Sequence, residues 1–271
     1  MKVVFYNGEF VLENDISISI NSRSFNYGDG FFETVKILDS QPFNLSFHFD
    51  RIKLALKVLR LEQDYTELFL KQNISHLLKV NNIINGSIKI HVSRIGSGRY
   101  LPASNKSDLF IISSKGFPYQ INNAISLCFY GQEYKASGSL SKLKSSNSLI
   151  YILPSIYASE NNFDNAILLN KSGNIIEVTN ANIFILKNNN IYTPPIVDGC
   201  VDGTMRRWVN NKLDVIEKSI SRDEILDADE VFITNALEGV TSVQRIESIM
   251  FESFSVASSL QKKLINLNSD L

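Results

Sequence analysis

Four groups of polar residues in this sequence have the types and settings that small-molecule chemistry uses. Lys144 lies in a serine-rich loop ahead of a predicted helix, and a lysine amine can act as a nucleophile where its surroundings favour the neutral form. Glu177 closes a short apolar strand, and Arg51 lies on a predicted amphipathic helix. Residues 202–206 open another predicted helix, whose free N–H groups suit a phosphate.

Each of these features also has an ordinary structural interpretation. A loop lysine is usually solvated, and a glutamate at a strand end is usually a surface charge. An arginine on a helix commonly forms a surface ion pair that contributes only ~0–1 kcal/mol. Most helix N-termini bind only water. The four groups therefore indicate function only in combination.

Hairpins and a helix are predicted to position these residues. Apolar residues flank Asn-Gly at residues 7–8, which is typical of a two-residue hairpin. Residues 31–38 and 43–45 are predicted to form a second hairpin. From Ser46, which we place as the N-cap, apolar residues recur at helical spacing and predict the helix that carries Arg51.

The rest of the chain is predicted to alternate between helices and short strands. The predicted helices cover 68–80 and 149–158, and the predicted strands cover 88–92, 109–112, 125–130, 166–169, 175–177, 183–186 and 191–192. No strand leads into a G-x-G-x-x-G turn, so we expect a mixed α/β or α+β chain rather than a doubly wound sheet.

Two domains are predicted from the length of 271 residues and from a change in composition. The smaller N-terminal α+β domain is predicted over residues 1–116. Residues 117–121 form the predicted linker, next to a segment with Gly and Pro breakers. The larger C-terminal domain, predicted over residues 122–271, carries Lys144.

The charge balance argues against a polyanionic partner. The chain has 27 Lys and Arg against 28 Asp and Glu, without a long run of one sign. We therefore expect a small-molecule substrate and no nucleic acid. No window approaches the ~20 apolar residues of a membrane span, and the N-terminus lacks the apolar core of a signal peptide. The expected location is the cytoplasm, with no membrane partner.

The two cysteines, Cys128 and Cys200, are far apart and lack the spacing of a metal or redox motif. We expect both to be reduced structural thiols, and we expect no metal site.

Several motifs, in order, resemble those of the class IV aminotransferases, which are fold-type IV enzymes that use pyridoxal 5'-phosphate (PLP). The matching segments are residues 23–34 (RSFNYGDGFFET), 48–52 (HFDRI), 144–147 (KSSN), 168–177 with 182–184, 192–206, and 228–232 (ADEVF). The resemblance covers roughly residues 1–246. It implies a two-domain fold like that of the D-amino-acid aminotransferases, with PLP at the domain interface.

The resemblance also implies a role for each motif residue. Lys144 is expected to form the Schiff base with PLP and to move protons at the substrate carbon, and Glu177 is expected to face the pyridine nitrogen. Arg51 is expected to hold the cofactor phosphate. The backbone N–H groups of Thr204 and Met205 are expected to help. Aminotransferase members have a hydroxyl residue at the position of Ala236, so only a backbone contact is expected there.

Departures from the family pattern favour one branch. Asn147-Ser148 lacks the tyrosine typical of branched-chain aminotransferases. Phe32 replaces a tyrosine, and Leu101 replaces a histidine, of the D-amino-acid aminotransferases. Residues 93–100 (SRIGSGRY) instead resemble the glycine-rich stretch of 4-amino-4-deoxychorismate lyases.

This branch implies that the enzyme cleaves 4-amino-4-deoxychorismate to p-aminobenzoate, a folate precursor, and pyruvate. Arg99, Tyr27 and Phe32 are the expected substrate-binding residues, with Arg99 pairing with a carboxylate. A class IV aminotransferase acting on a D-amino acid or a branched-chain amino acid stays open as the alternative, as does a PLP-binding protein without turnover. The resemblance also implies a homodimer.

Overall fold

The computed structural model describes residues 1–267, which form two compact units. Unit 1 contains residues 1–118 and 143–148, and unit 2 contains residues 119–142 and the described residues from 149 onward. Each unit combines helices with one mainly antiparallel sheet. The predicted mixed α+β class is therefore confirmed.

Unit 1 is built around a six-stranded antiparallel sheet in the order β2-β1-β6-β5-β3-β4. Its elements are β1 (Val3–Tyr6), β2 (Glu9–Leu12), α1 (Arg23–Tyr27), β3 (Gly30–Leu38), β4 (Gln41–Pro42), α2 (Leu45–Leu59), α3 (Glu67–Val80), β5 (Gly86–Arg94) and β6 (Ser107–Lys115). The apolar sides of α2 and α3 supply Ile52 and Ile74 to the same buried core as Ile88 of β5. Burial of each such side chain contributes about 1.5–3 kcal/mol.

The two predicted hairpins have different outcomes. The first is confirmed: Asn7 and Gly8 have φ values of 48° and 103°, which suit a tight two-residue turn between β1 and β2. The second is wrong in its return strand, because β4 covers only Gln41–Pro42 and the chain then passes through left-handed Asn44 into α2. The predicted N-cap Ser46 is also wrong, since α2 begins at Leu45 after Asn44 in the left-handed conformation.

Unit 2 is built around a nine-stranded sheet in the order β12-β11-β10-β13-β14-β7-β8-β9, with β15 paired to β14. Its elements are β7 (Ile125–Phe129), α4 (Leu149–Glu160), β8 (Asn165–Leu169), β9 (Ile175–Val178), β10 (Asn182–Lys187), β11 (Asn190–Thr193), α5 (Thr204–Asn210), β12 (Val215–Glu217), α6 (Arg222–Leu226), β13 (Glu230–Asn235), β14 (Gly239–Ile246), β15 (Ile249–Met250) and α7 (Ser255–Asn266). The pairs β11–β12, β14–β7 and β7–β8 are parallel, and the other pairs are antiparallel.

The structure corrects the domain predicted for Lys144. Residues 143–148 group with unit 1, although the sequence prediction placed all of 122–271 in one C-terminal domain. The reason is backbone hydrogen bonding to β3: Phe32 N donates to Lys144 O over 2.9 Å, and Ser146 N donates to Gly30 O over 3.0 Å. These bonds connect residues far apart in sequence, which a change in local composition does not reveal.

Both cysteines are buried and neither forms a disulfide, as expected of structural thiols. None of the helices within residues 1–267 combines the length and the apolar character that a bilayer-spanning segment requires.

Candidate active site

Lys144 is fixed to the central sheet of unit 1 by its backbone and its side chain. An antiparallel bridge joins Phe31 of β3 to Ser145, next to the lysine. The Lys144 Nζ atom lies 4.1 Å from the centroid of the Phe32 ring, within the range of a cation–π contact. Leu143 is buried in the unit 1 core just before it. The amine is therefore held at a defined position over an aromatic face.

Gly28 allows the segment that carries Lys144 to approach the start of β3. Gly28 ends α1 in the left-handed conformation, with φ of 61°, which glycine adopts without strain. A Cβ atom there would lie 3.1 Å from the backbone nitrogen of Asn147. A residue with a side chain at position 28 of the RSFNYGDG segment would therefore crowd Asn147, which explains the glycine there.

Arg51 is the centre of a buried hydrogen-bond cluster in unit 1. Its Nε atom donates to Glu33 Oε1 over 2.9 Å, and its NH2 group donates to Glu33 Oε2 over 2.5 Å. His48 Nδ1 lies 2.6 Å from the same Oε2 atom. His48 and Arg51 are three residues apart on α2 and therefore share a helix face, toward β3. The cluster fixes the orientation of the guanidinium group.

The charge states in this cluster follow from burial and contact. Burial raises the pKa of Glu33, but the charge of Arg51 and the hydrogen bond and charge of His48 outweigh burial and lower it to about 2. Burial lowers the pKa of His48; Glu33 opposes this, while the charges of Arg51 and Lys144 add to it. At neutral pH the carboxylate is ionised and the imidazole is neutral, so Nδ1–H donates to Glu33.

Glu177 is the corresponding buried acid of unit 2, where it lies in β9 and is 3% exposed. Its Oε1 atom accepts hydrogen bonds from Lys135 Nζ and, over 3.1 Å, from the Tyr151 hydroxyl. Its Oε2 atom accepts from Val201 N over 2.8 Å. Burial raises the pKa of Tyr151, and the nearby Glu177 charge raises it further, so this phenol stays protonated. Glu177 is thus held as a carboxylate acceptor.

The segment after Val201 leads into α5 through a close contact between Gly203 and the Asn182 side chain. Gly203 is the N-cap of α5, and a Cβ atom there would lie 1.8 Å from Asn182 Oδ1, so no larger residue fits without movement. Asn182 Nδ2 in turn donates to Val201 O over 2.8 Å. Thr204 and Met205, the first residues of α5, are both buried. Their N–H groups belong to the first turn, which lacks intrahelical acceptors.

The Ala236 carbonyl and the Thr234 hydroxyl differ in whether a hydrogen-bond partner is present. The Ala236 carbonyl accepts a hydrogen bond from the Tyr119 hydroxyl over 2.8 Å. The Thr234 hydroxyl is buried and has no hydrogen-bond partner within residues 1–267. Thr234 pairs with Asn182 across β13 and β10, so both side chains lie on the sheet face that carries the Val201 contact. A buried, unsatisfied hydroxyl on that face suits a polar ligand.

The loop that carries Arg99 is held by a buried arginine of α1. Arg23 NH1 donates to the carbonyls of Gly98 and Arg99 over 2.8 and 2.7 Å, and Arg23 Nε donates to Asp29 over 2.7 Å. Asp29 also accepts from Arg94 Nε at 3.0 Å. Arg99 itself is exposed. The loop backbone is anchored while the Arg99 side chain extends outward.

Two tyrosines lie beside this loop in unit 1. The rings of Tyr27 and Tyr100 have centroids 6.0 Å apart, and the Arg23 guanidinium lies 5.1 Å from the Tyr27 centroid. The structure thus brings Tyr27 near the Arg99 loop, and it brings Phe32 against Lys144.

Several residues with defined contacts in these clusters were missed by the sequence prediction. Two of them, Glu33 and His48, lie within segments that resemble family motifs, so a signal for them was present. Lys135 and Tyr151 contact Glu177, which is distant from both in sequence, and Thr234 is notable only for a buried hydroxyl without a hydrogen-bond partner within residues 1–267, so none of these three gave a local signal. The missed residues are Glu33, His48, Lys135, Tyr151 and Thr234.

Comparisons with known proteins agree on one family. The family described as amino-transferase class IV matches residues 30–246. The chain is 28% identical over 257 residues to D-alanine aminotransferase of Staphylococcus haemolyticus, with 91% of this chain and 90% of the relative covered. It is 30% identical over 241 residues to aminodeoxychorismate lyase of Vibrio harveyi, with 85% and 88% covered.

The structural comparison supports the fold. The crystal structure of branched-chain aminotransferase from Thermoproteus uzoniensis with norvaline superposes with a TM-score of 0.91 at 22% identity, covering 98% of this chain and 94% of that chain. At that identity the likeness shows a shared fold. The relatives therefore agree on architecture and family, and they carry three different activities in their names.

Proposed function

The chain belongs to the class IV aminotransferase family and is therefore a PLP-dependent enzyme, and we propose that it is a lyase that acts on 4-amino-4-deoxychorismate. The products are p-aminobenzoate and pyruvate. PLP supplies a ring that withdraws electrons and stabilises the negative charge formed at the amine-bearing carbon of the substrate.

The residues present fit this cofactor. Arg51 is a buried cation suited to a phosphate, and Glu177 is a buried carboxylate suited to a protonated pyridine nitrogen. The unsatisfied Thr234 hydroxyl adds a donor in unit 2. A phosphate, a ring nitrogen and an aldehyde thus each have a chemically matched group in the chain, the third being the Lys144 amine.

We assign the proton transfers to Lys144. With PLP bound, the Lys144 amine would hold the cofactor through its aldehyde, would be released when the substrate amine takes its place, and would then be the base for the proton at the amine-bearing carbon. The electron pair of that C–H bond would become the third double bond of the substrate ring, while the enolpyruvyl oxygen would leave with the electrons of its C–O bond. The ring would then be aromatic, and the released enolpyruvate would take up a proton to give pyruvate. In unit 1 we assign Arg51 to the cofactor phosphate. In unit 2 we assign the N–H groups of Thr204 and Met205 and the backbone of Ala236 to phosphate binding.

The observation that carries the choice of substrate is the loop that displays Arg99. Its backbone is anchored by buried Arg23. Arg99 and Tyr100 are exposed, and the Tyr100 ring lies next to Tyr27. An outward guanidinium pairs well with a carboxylate, and aromatic rings cover the apolar face of a cyclic ligand. Together with Phe32 below Lys144, these groups suit a cyclic dicarboxylate better than a small aliphatic amino acid.

A class IV aminotransferase acting on D-alanine or a branched-chain amino acid is the second candidate. It is favoured by the D-alanine aminotransferase relative at 28% identity and by a Pseudomonas aeruginosa branched-chain-amino-acid aminotransferase at 26% identity. A PLP-binding protein without turnover is the third candidate. The presence of Lys144, Arg51 and Glu177 argues against it, because a binding protein needs no proton-transferring amine.

The cofactor's own state separates the first two candidates. An aminotransferase mixed with D-alanine or leucine alone converts bound PLP to pyridoxamine phosphate, because the amino group stays on the cofactor. The proposed lyase returns PLP unchanged after each turnover with 4-amino-4-deoxychorismate. Absorbance spectra recorded after mixing with each amine are expected to show lasting bleaching with none of them. Rapid, complete bleaching by an ordinary amino acid would favour the aminotransferase.

We also propose that the enzyme works in the cytoplasm as a homodimer. The family resemblance supports the homodimer, and the sequence composition supports the location. Neither proposal changes the roles assigned to the residues above.

A further inference from the structure

Lys135 is a buried lysine for which the proposed reaction has no role. It is 7% exposed, and its Nζ atom donates to Glu177 and, over 3.1 Å, to Ser141 O. The same Nζ atom lies 5.2 Å from the centroid of the Tyr151 ring. Two acceptors and an aromatic face are what a buried ammonium group needs, so the surroundings of Lys135 are suited to a charged side chain.

Folding alone does not account for this ion pair. Desolvating a buried lysine and a buried glutamate costs several kcal/mol per ion, and apolar residues of similar volume often serve stability as well or better. Because this ion pair involves Glu177, the carboxylate proposed to face the cofactor, we expect its role to lie in the proposed reaction.

The other ionisable groups around the pair do not replace Lys135. Burial raises the pKa of the Cys200 thiol to about 12, and the Glu177 charge contributes to this, so the thiol is neutral. Tyr151 is neutral for the same two reasons. Arg206, whose charge opposes the rise in the Cys200 pKa, forms an ion pair with Glu217 over 2.8 Å.

Asp202, the remaining charged neighbour of Cys200, pairs with Arg207 over 2.6 Å. Among the ion pairs of residues 1–267, the partner of Glu177 is Lys135. The two oxygens of Glu177 thus meet one cation and two neutral donors, Tyr151 and Val201 N.

We propose that Lys135 is a positioning residue that fixes the Glu177 carboxylate and offsets its charge, and that it thereby limits how tightly the cofactor's pyridine nitrogen holds its proton. This inference rests on the proposed role of Glu177. Lys135 and Tyr151 occupy Oε1, so a further donor is left to approach Oε2 beside Val201 N, since a carboxylate offers about four lone-pair sites.

The electrostatic consequence has a definite sign. A second positive charge close to a protonated ring nitrogen disfavours that protonated form, and the scale of such effects is set by opposite charges, which within ~4–6 Å lower a carboxyl pKa by about one to three units. Removing the Lys135 charge leaves Glu177 uncompensated and strengthens the protonated ring. A reaction that ends by forming an aromatic ring needs less help from the electron-withdrawing cofactor, which fits a partly offset carboxylate.

The test is ¹⁵N NMR of the substrate-free, PLP-loaded protein with the pyridine nitrogen labelled, followed as a function of pH. Lys135→Met is expected to raise the pH at which the ring nitrogen loses its proton by one unit or more relative to wild type. Lys135→Arg keeps the charge and is expected to restore the wild-type profile. Lys218→Met removes a charge from an exposed ion pair of unit 2 and is expected to leave the profile unchanged.

The inference is overturned if the pH midpoint of the ring-nitrogen titration in Lys135→Met equals the wild-type midpoint or lies below it. It is also overturned if the ring nitrogen titrates in neither protein. Should Lys135→Met fail to fold, Lys135→Gln is measured instead, because its amide can still donate to Glu177 without a charge. Glu177→Gln separates the two levels of the proposal, since it is expected to lower the midpoint. If Glu177→Gln has no effect, the proposed role of Glu177 fails, whereas an effect of Glu177→Gln without one of Lys135→Met refutes only the role of Lys135.

Discussion

The Nζ atom of Lys144 lies 4.1 Å from the centroid of the Phe32 ring, on a backbone segment that is hydrogen-bonded to Phe32 itself. The lysine and its aromatic neighbour are therefore positioned by the same strand, β3, although they lie 112 positions apart in sequence (144 − 32). A rigidly placed amine is what covalent attachment of an aldehyde requires.

The first prediction concerns that amine. Lys144→Ala is expected to abolish the borohydride-trapped adduct with PLP, because no other amine is expected to reach the aldehyde. Lys142→Ala, two residues away in the same loop, is the matched control and is expected to keep the adduct. Peptide mapping by mass spectrometry measures both, and an adduct on Lys142 or Lys135 would refute the assignment.

The second prediction concerns Arg51 and its carboxylate partner. Arg51→Ala is expected to weaken PLP binding by about 10- to 100-fold, since a hydrogen bond to a charged group contributes ~1.5–3 kcal/mol. Glu33→Gln keeps the guanidinium but loses a charged acceptor that orients it, so a smaller loss is expected. Titration of the apo-protein with PLP measures both. Wild-type affinity in Arg51→Ala would rule out the phosphate role.

The Arg51 cluster also shows what the sequence could and could not predict. The helical spacing from residue 49 onward predicted the helix of Arg51, since that signal is local. The partner of Arg51 is Glu33 on β3, and a contact between two elements depends on packing that no local pattern specifies. Lys135 and Glu177 are a second case, 42 residues apart. The family motifs identified the chemistry-bearing residues, while the groups that hold them required the structure.

The domain of Lys144 was missed for a similar reason. The segment 143–148 lies between two stretches of unit 2 in sequence, and composition gives no sign that it pairs with β3. By contrast, the Asn7-Gly8 hairpin was predicted correctly because its turn geometry is set by two adjacent residues.

The third prediction is a pH dependence of stability that comes from Glu33. Its folded-state pKa is about 2 against 4.5 for the free group, so the unfolded state binds the proton first as pH falls. The stabilisation is complete above about pH 4.5 and is lost toward about pH 2. The shift corresponds to on the order of 3 kcal/mol. The lowered pKa of His48 acts in the same direction below its usual value of 6.5.

Urea unfolding at several pH values measures this effect. The difference in unfolding free energy between wild type and Glu33→Gln is expected to shrink as pH falls below about 4.5. Glu9→Gln, a change at an exposed position, is the control and is expected to follow wild type. A difference that stays constant down to low pH would contradict the assigned charge state of Glu33.

The fourth prediction concerns the proposed homodimer. One side of α4 exposes four apolar residues at helical spacing, Leu149, Ile152, Leu153 and Ile156, each about half exposed or more. An apolar stripe of this kind marks an interaction surface, and we expect a second copy to cover it. Ile152→Glu with Ile156→Glu is expected to produce monomers by light scattering. Val197→Glu, at an exposed residue outside α4, is the control, and a doubly substituted protein that stays dimeric would exclude this surface.

The central claim is that the enzyme is a lyase, and the direct measurement is product formation from 4-amino-4-deoxychorismate without any keto acid. The wild-type protein is expected to release p-aminobenzoate and pyruvate in equal amounts over many turnovers, because elimination returns PLP and needs no amino acceptor. An added keto acid is expected to leave the rate unchanged. Absence of p-aminobenzoate, together with keto-acid-dependent turnover of D-alanine or a branched-chain amino acid, would contradict the claim and establish an aminotransferase instead.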